Sequence, residues 1–309
     1  MASYAVGLSE TDGTPRSAHG GKRLRPAITV LCAQAAGGSA QAAIAGAVAV
    51  ELVHAFSLVH DDIIDQDERR RHRPTVWKAY GIGPAVLSGD ALLALAVRTL
   101  TSVDGAAATT AVGHLSTALI DLIHGQSADM SFEHRPYAGP GAVTAEEYGD
   151  MAARKTGALL GCAAAVGTLL GGGSPERADL MARMGRHLGI AFQVADDLLA
   201  ISGDPEVTGK PLFNDLRQAK KTLPVIYALQ NGAAPGRRLA EMLAARPDDT
   251  ETLRTAAGLV DTSGGRAYAR RQAEHHLEQA LALIAAAGPR VPAADDLTAL
   301  AYFLVNRAH

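Results

Sequence analysis

Three aspartates at the end of an apolar run are the residues of this 309-residue chain whose spacing most directly implies chemistry. They are Asp61, Asp62 and Asp65, within His54–Val76 (HAFSLVHDDIIDQDERRRHRPTV). On a helix, Asp61 and Asp65 share one face about 6 Å apart. No cation at helical spacing between them relieves their repulsion. Carboxylates in that position suit a hard cation such as Mg²⁺, which takes one or two of them and completes its shell with water and substrate phosphates. Arg70, Arg71 and Arg73 follow closely, each a planar fork matched to phosphate. An acid cluster followed by an arginine cluster reads as metal plus polyphosphate. The plain alternative is a solvated helix end of mixed charge.

A second acidic pair, Asp196 and Asp197, also ends an apolar helix, with Asp204 nearby. Carboxylates buried at such a position are costly unless a cation pairs with them, so two such pairs favour the metal reading over an accident of helix ends. Lys155 and Thr156 interrupt another apolar helix. A lysine there either snorkels outward or faces a polar cavity, and the cavity is favoured. The loop Gly203–Asp215 is too rich in Gly and Pro for a helix. Its spacing is wrong for a P-loop, and a lid bringing Lys210 onto phosphate is the better reading. His54 lies two helical turns before Asp61 and, with Lys22 and Arg25, forms a plausible set of diphosphate donors.

The elements that must position these groups are helical throughout. Apolar runs predict helices over Ala27–Ala36, Ala40–Asp65, Ala85–Val103, Ala106–Ser131, Thr144–Leu170 and Glu176–Ile201. Further helices are expected over Arg217–Leu229, Gly236–Ala245, Thr250–Val260, Arg266–Ala286 and Ala293–Arg307. Pro26 is placed at the first position of its helix. Thr144 and Glu147 form a capping-box pattern. No strand alternation or internal repeat appears. The expectation is an all-α single-domain bundle of about ten or more helices over residues 20–309, preceded by a frayed lead-in over 1–19.

The hydrophobic fraction of 48%, charged fraction of 20% and net charge of −3 carry no basic excess for nucleic acid. Cys32 and Cys162 lie in apolar runs and read as buried thiols in a reducing, cytoplasmic setting rather than a disulfide. No signal segment opens the chain. Thr156–Gly173 is uncharged, yet its glycines make it a buried central helix rather than a membrane span.

Eight motifs then carry a resemblance: GGKRLRP (20–26), HDDIID (60–65), RRHRPT (70–75), GQSAD (125–129), KTG (155–157), FQVADD (192–197), VTGK (207–210) and DLRQAKKTLP (215–224). In this order they resemble the trans-isoprenyl diphosphate synthases of the polyprenyl synthetase family. The likeness extends from Gly20 to about Pro224 and more loosely beyond. It implies an isoprenoid synthase fold around a central apolar cavity, and a prenyltransferase joining isopentenyl diphosphate to an allylic diphosphate (dimethylallyl, geranyl or farnesyl). By the same resemblance, Asp61 and Asp65, supported by Asp62, hold Mg²⁺. Asp196 binds a further Mg²⁺, with Asp197 and Asp215 acting nearby, and three ions are implied in all. Lys22, Arg25, His54 and Arg71 would hold isopentenyl diphosphate. Arg70, Lys155, Lys210 and Lys220 would hold the allylic diphosphate. Thr156 and Gln193 would face the developing carbocation, and a homodimer is implied. The chemistry agrees: departing diphosphate must be neutralised, and an allylic cation needs a dry cavity.

There are departures. Ala200 stands where the second motif normally has a third aspartate, and His72 and Trp77 replace a usual Gly and His, as in the actinobacterial branch. Ala200 and the short lead-in motivate a competing reading as a weakly catalytic partner subunit. A class I terpene cyclase shares the fold and first motif but lacks the basic GGKRLRP segment. For product length, Phe56 and Ser57 lie five and four residues before Asp61, where a phenyl ring would form a floor. The resemblance supports a twenty-carbon product, geranylgeranyl diphosphate, with farnesyl diphosphate as the alternative.

Overall fold

Runs of Ala, Leu and Val fold as helices, and the computed structural model describes residues 1–16, 23–71, 73–202, 213–288 and 292–306. The helices are α1 (Ala2–Ala5), α2 (Leu24–Ala36), α3 (Ile44–Ile64), α4 (Val76–Tyr80), α5 (Ile82–Thr101), α6 (Ala106–Glu133), α7 (Ala145–Ala152), α8 (Ala158–Leu170) and α9 (Pro175–Ser202). Beyond α9 lie Asn214–Arg217, Leu223–Asn231, Ala233–Ala244, Thr250–Thr262, Gly265–Ala286 and Ala293–Val305.

The chain divides into two compact units. The first comprises Met1–Leu119, Leu159–Ala182 and Ala287–Leu297. The second comprises Ile120–Ala158, Arg183–Ala286 and Thr298–His309. Fully buried Ile28, Val50, Val53, Leu92 and Leu100 lie in the core of the first, where α3 packs along α5. Each such side chain contributes about 1.5–3 kcal/mol when fully buried. A cluster including Ile201, Leu216, Val225, Leu239 and Leu253 forms the core of the second.

Several boundaries differ from the sequence reading, each for a local reason. α2 and α5 start earlier than expected, at Leu24 and Ile82, so Pro26 sits inside the first turn rather than at its start and Pro84 falls within a first turn as well. The first turn tolerates them because its N–H groups have no intrahelical acceptor. The helix expected over Arg217–Leu229 is broken. Pro224 has no N–H to give, so the chain turns at Ala219 (φ 55°) and restarts at Leu223. The expected single helix over Thr144–Leu170 contains a π-turn, Ala153–Gly157, between α7 and α8. Its start is as read: Thr144 Oγ1 accepts from the Glu147 N–H at 3.1 Å, and Glu147 Oε2 accepts from the Thr144 N–H at 2.8 Å.

A short antiparallel hairpin, β1 (Arg69–Arg70) with β2 (Arg73–Pro74), appears where no strand was expected. The opening residues also pack rather than fray. Tyr4 is 4% exposed and its hydroxyl donates to the Pro74 carbonyl at 2.7 Å. Arg73 lies over the Tyr4 ring, 4.2 Å from its centroid, and donates to the Ser9 carbonyl and to Glu10. Arg73 thus braces the opening segment, a long-range contact that spacing could not reveal. Residues 17–19 of the expected lead-in lie outside the described residues.

Cys32 and Cys162 are free and buried, and burial pushes the Cys162 thiol up to about 12. α8 is buried along nearly its whole length and has 13 residues. Among the described residues, three other helices are long and apolar enough to cross a membrane by length and composition: Gln41–Ile64, Ile82–Thr101 and Ala106–Glu133.

Candidate active site

The first acid motif occupies the last turn of α3, which contains no basic residue. Carbonyl groups at a helix C-terminus carry partial negative charge, so carboxylates there call for an external cation. Asp61 and Asp65 are half-buried, whereas Asp62 turns inward and is 4% exposed. Asp62 Oδ1 accepts from Arg70 Nε at 2.7 Å. Burial pushes Asp62 up to about 6, against the pull of Arg70. Arg70, expected to hold allylic diphosphate, is therefore already held by the carboxylate next to Asp61. The hairpin that carries Arg70 is pinned through Asp67, whose carbonyl accepts from Thr75 Oγ1 and Trp77 Nε1, both at 2.8 Å. Trp77, a departure from the family pattern, has this supporting role.

Arg25, Arg71 and Arg70 lie close enough to His54 that their charges, after burial as the larger cause, hold its imidazole well below its ordinary pKa. His54 is neutral, with one N–H to offer. The first unit thus gathers three guanidinium groups and a neutral donor in the neighbourhood of an acid-ended helix.

The second unit's residues meet at the π-turn. A Cβ on Gly189 of α9 would lie 2.4 Å from Gly157 Cα, and one on Gly125 of α6 would lie 2.3 Å from the Lys155 nitrogen. Only glycine permits these backbone approaches. They bring α6 and α9 against the wide turn that presents Lys155 and Thr156. Lys155 Nζ donates to Asp129 Oδ2 at 2.5 Å, so the lysine inside the apolar helix has a carboxylate partner from GQSAD. Thr156 Oγ1 donates to Gln193 Oε1 at 2.8 Å, and Gln193 Nε2 donates to Asp197 Oδ1 at 3.0 Å. Asp197 Oδ2 accepts from the Tyr148 hydroxyl at 2.5 Å and from the Leu223 N–H at 3.2 Å.

Asp196 is half-buried, but Asp197 is 3% exposed. Burial, then Asp215, raises Asp197 to about 7, while its three donors pull the other way. The resemblance groups it with the metal ligands, and in the structure both of its oxygens accept from protein donors. Sequence reasoning missed Tyr148, and its only signal was a position seven residues before Lys155. Lys220 is half-buried and follows Asn214–Arg217, which contains Asp215. Lys22, Asp204, Lys210 and the lid proper lie outside the described residues.

The donors fit Mg²⁺. Among the described residues, no group of three or more His, Cys, Asp or Glu could cage a metal alone. The half-buried carboxylates of Asp61 and Asp65 suit an ion that takes one or two carboxylates and completes its shell from other oxygens.

The polyprenyl synthetase family model matches residues 15–260, a range that runs through both units. The (2E,6E)-farnesyl diphosphate synthase of Mycobacterium tuberculosis is 44% identical, over 99% of this chain and 85% of its own. The geranylgeranyl diphosphate synthase of the same organism is 40% identical, over 99% and 86%. The crystal structure of a polyprenyl synthetase from Streptomyces coelicolor A3(2) superposes with a TM-score of 0.91 at 43% identity, covering 98% of this chain and 90% of that one. Motif order, helical fold and sequence likeness over nearly the full length agree, and the chain belongs to the polyprenyl synthetase family of prenyltransferases.

Proposed function

We propose that the chain makes geranylgeranyl diphosphate, by Mg²⁺-dependent 1′–4 condensation of isopentenyl diphosphate with an allylic diphosphate. Short-chain trans-prenyl diphosphate synthesis is the class its relatives share. The observation that carries the reading is the gathering of Arg25, Arg70 and Arg71 around His54, on and beside the helix that ends in Asp61 and Asp65. Guanidinium groups bind a diphosphate, and the carboxylates bind the metal that travels with it.

In this reading Asp61 and Asp65 hold Mg²⁺ and Asp196 a further ion, and bound metal supplies neutralisation of the departing diphosphate. Lys22, Arg25, His54 and Arg71 fix isopentenyl diphosphate. Arg70, Lys155, Lys210 and Lys220 fix the allylic diphosphate. For Arg70 and Lys155, a phosphate oxygen replaces the carboxylate of Asp62 or Asp129, so each cation is preoriented before substrate arrives. The allylic C1–O bond breaks, the isopentenyl double bond attacks C1, and a proton passes to the released diphosphate. Thr156 and Gln193 face the cation.

Phe56 supports a chain-length floor. It is buried and meets the His60 ring edge-on at 4.8 Å, and His60 Nε2 lies 3.2 Å from the Val86 carbonyl of α5. Ser57 instead donates to the His54 carbonyl of its own helix at 2.9 Å. Farnesyl diphosphate is the second reading, because the relative at 44% identity is named for it. The test is turnover of the purified chain with Mg²⁺, isopentenyl diphosphate and each allylic primer, with product length read by chromatography. Twenty-carbon product, with farnesyl diphosphate accepted as primer, is expected. Products stopping at fifteen carbons would overturn the proposal in favour of farnesyl synthesis. Phe56→Ala is expected to lengthen the products. If Phe56 were only a core residue, the variant would instead lose stability by about 3–5 kcal/mol at unchanged length.

A homodimer is proposed as well. Exposed Ile82, Val86, Leu87 and Val97 on α5 support it, and sedimentation of the purified chain tests it. Free buried thiols support a cytoplasmic setting.

A further inference from the structure

We propose that Tyr148 and Asp197 are positioning residues for prenyl transfer: they fix the amide of Gln193 so that Thr156 offers substrate only the lone pairs of its oxygen. The proposal rests on the prenyl-transfer reading for what Thr156 and Gln193 face. Its basis is the direction of four hydrogen bonds. The Tyr148 hydroxyl and the Leu223 N–H both donate to Asp197 Oδ2, which leaves Oδ1 as the acceptor that faces Gln193. The Gln193 amide must therefore turn its NH₂ to Asp197, which leaves its carbonyl oxygen on Thr156. A carbonyl oxygen also only accepts, so the single proton of Thr156 is committed to it. What remains on Thr156 Oγ1 is acceptor capacity. An electron-deficient carbon is stabilised by such an oxygen, and by a dipole already oriented before the charge develops.

The local structure is built for this chain of donors. Gln193 and Asp197 are four residues apart on α9 and so share a face. Tyr148 and Thr156 are eight residues apart, which on a regular α-helix leaves them about 80° out of phase. The intervening π-turn absorbs one residue and brings the difference to about 20°. Both side chains can then reach α9. Asp197 at 3% exposure and Thr156 at 8% exposure are held away from competing water. Without an acceptor at Asp197, nothing distinguishes the two ends of the Gln193 amide, and a half-turn would make Thr156 an acceptor with its proton aimed elsewhere. Asp197 then differs in kind from Asp196: its work is to orient a neighbour.

The experiment compares steady-state kinetics of the full chain with those of Tyr148→Phe, Asp197→Asn and the pair Asp197→Asn/Gln193→Glu, with far-ultraviolet circular dichroism confirming the fold. For Tyr148→Phe and Asp197→Asn, kcat at saturating substrates is expected to fall on the order of 10-fold or more. Both KM values and the Mg²⁺ half-saturation should stay within about two-fold, because no group touching substrate or metal has changed. In the paired variant the amide introduced at position 197 donates to the carboxylate introduced at position 193. That carboxylate still accepts from Thr156, so kcat should recover above that of Asp197→Asn. The rescue carries the test should Tyr148→Phe fail to fold, since a purely structural role gives no reason for it. Wild-type kcat in folded Tyr148→Phe overturns the proposal. So does an Asp197→Asn defect cured by excess Mg²⁺, or a paired variant no better than the single one. Failure of the prenyl-transfer reading itself would look different: the unaltered chain would turn over no primer at all.

Discussion

The two acid-ended helices, α3 and α9, look alike in sequence but solve the same burial problem in different ways. Each has a half-buried aspartate, Asp61 or Asp196, followed by a buried one, Asp62 or Asp197. Asp62 is compensated by a charge, the Arg70 guanidinium. Asp197 is compensated by dipoles, those of Tyr148, Gln193 and the Leu223 N–H. On the proposed reading, Arg70 exchanges its carboxylate partner for a substrate phosphate, so Asp62 keeps a diphosphate ligand in reserve. A ring of neutral donors has no such exchange, and it fixes geometry instead. On the proposed reading, the first motif governs binding through charge, and the second adds orientation to metal binding.

The largest effect should come from removing the half-buried member of either pair. Asp61→Ala and Asp196→Ala are each expected to lower turnover by roughly 10³-fold or more with the helical fold intact, as loss of a metal's charge stabilisation implies. Near wild-type rates for Asp196→Ala in excess Mg²⁺ would break the comparison at its root.

The buried members should then separate. Asp62→Asn frees Arg70 from its charge partner and is expected to change the KM for the allylic diphosphate by several-fold, on the scale of about 1 kcal/mol, with kcat little altered. Asp197→Asn should do the reverse. Equal kinetic signatures for the two variants would mean that they are interchangeable copies.

The smallest effect is on stability against pH in metal-free buffer. Asp62 and Asp197 have folded values raised to about 6 and about 7, above the ordinary 3.8. The folded state then binds more protons in that window, so their contribution is full below pH 3.8 and is lost as pH rises through the folded values. His187 and His276, in contact at 2.9 Å, act oppositely. Burial lowers His187 and takes His276 to about 4. The stability from keeping these rings neutral is full above pH 6.5 and is lost as pH falls toward 4. Thermal unfolding across this range should show Asp197→Asn reducing the loss on the alkaline side and His276→Gln reducing that on the acid side. A profile unchanged in Asp197→Asn would show that its carboxylate is not the buried, dipole-held group described here.

What the sequence determined by itself was whatever depends on near neighbours. The all-α fold follows from helical periodicity. Asp61, Asp62 and Asp65 fall on one helix end, and the capping box of Thr144 and Glu147 forms as read, because these patterns close within one turn. The acid and arginine clusters lie close enough in the chain for their shared chemistry to be visible.

Tertiary structure decided what joins distant segments. The Tyr148 hydroxyl meets Asp197 across 49 residues, and Lys155 meets Asp129 across 26. Tyr4 packs under Pro74 across 70, which turned an expected frayed segment into a support for the arginine hairpin. The π-turn that presents Thr156 depends on glycines from α6 and α9 reaching its backbone, a contact without local signature. Which aspartate of each pair is buried, and whether a guanidinium or a ring of dipoles compensates it, depends on what the fold packs against each helix face. Spacing along one helix sets the direction of a side chain; only the packed neighbours set its solvent and its hydrogen-bond partners, and with them its chemistry.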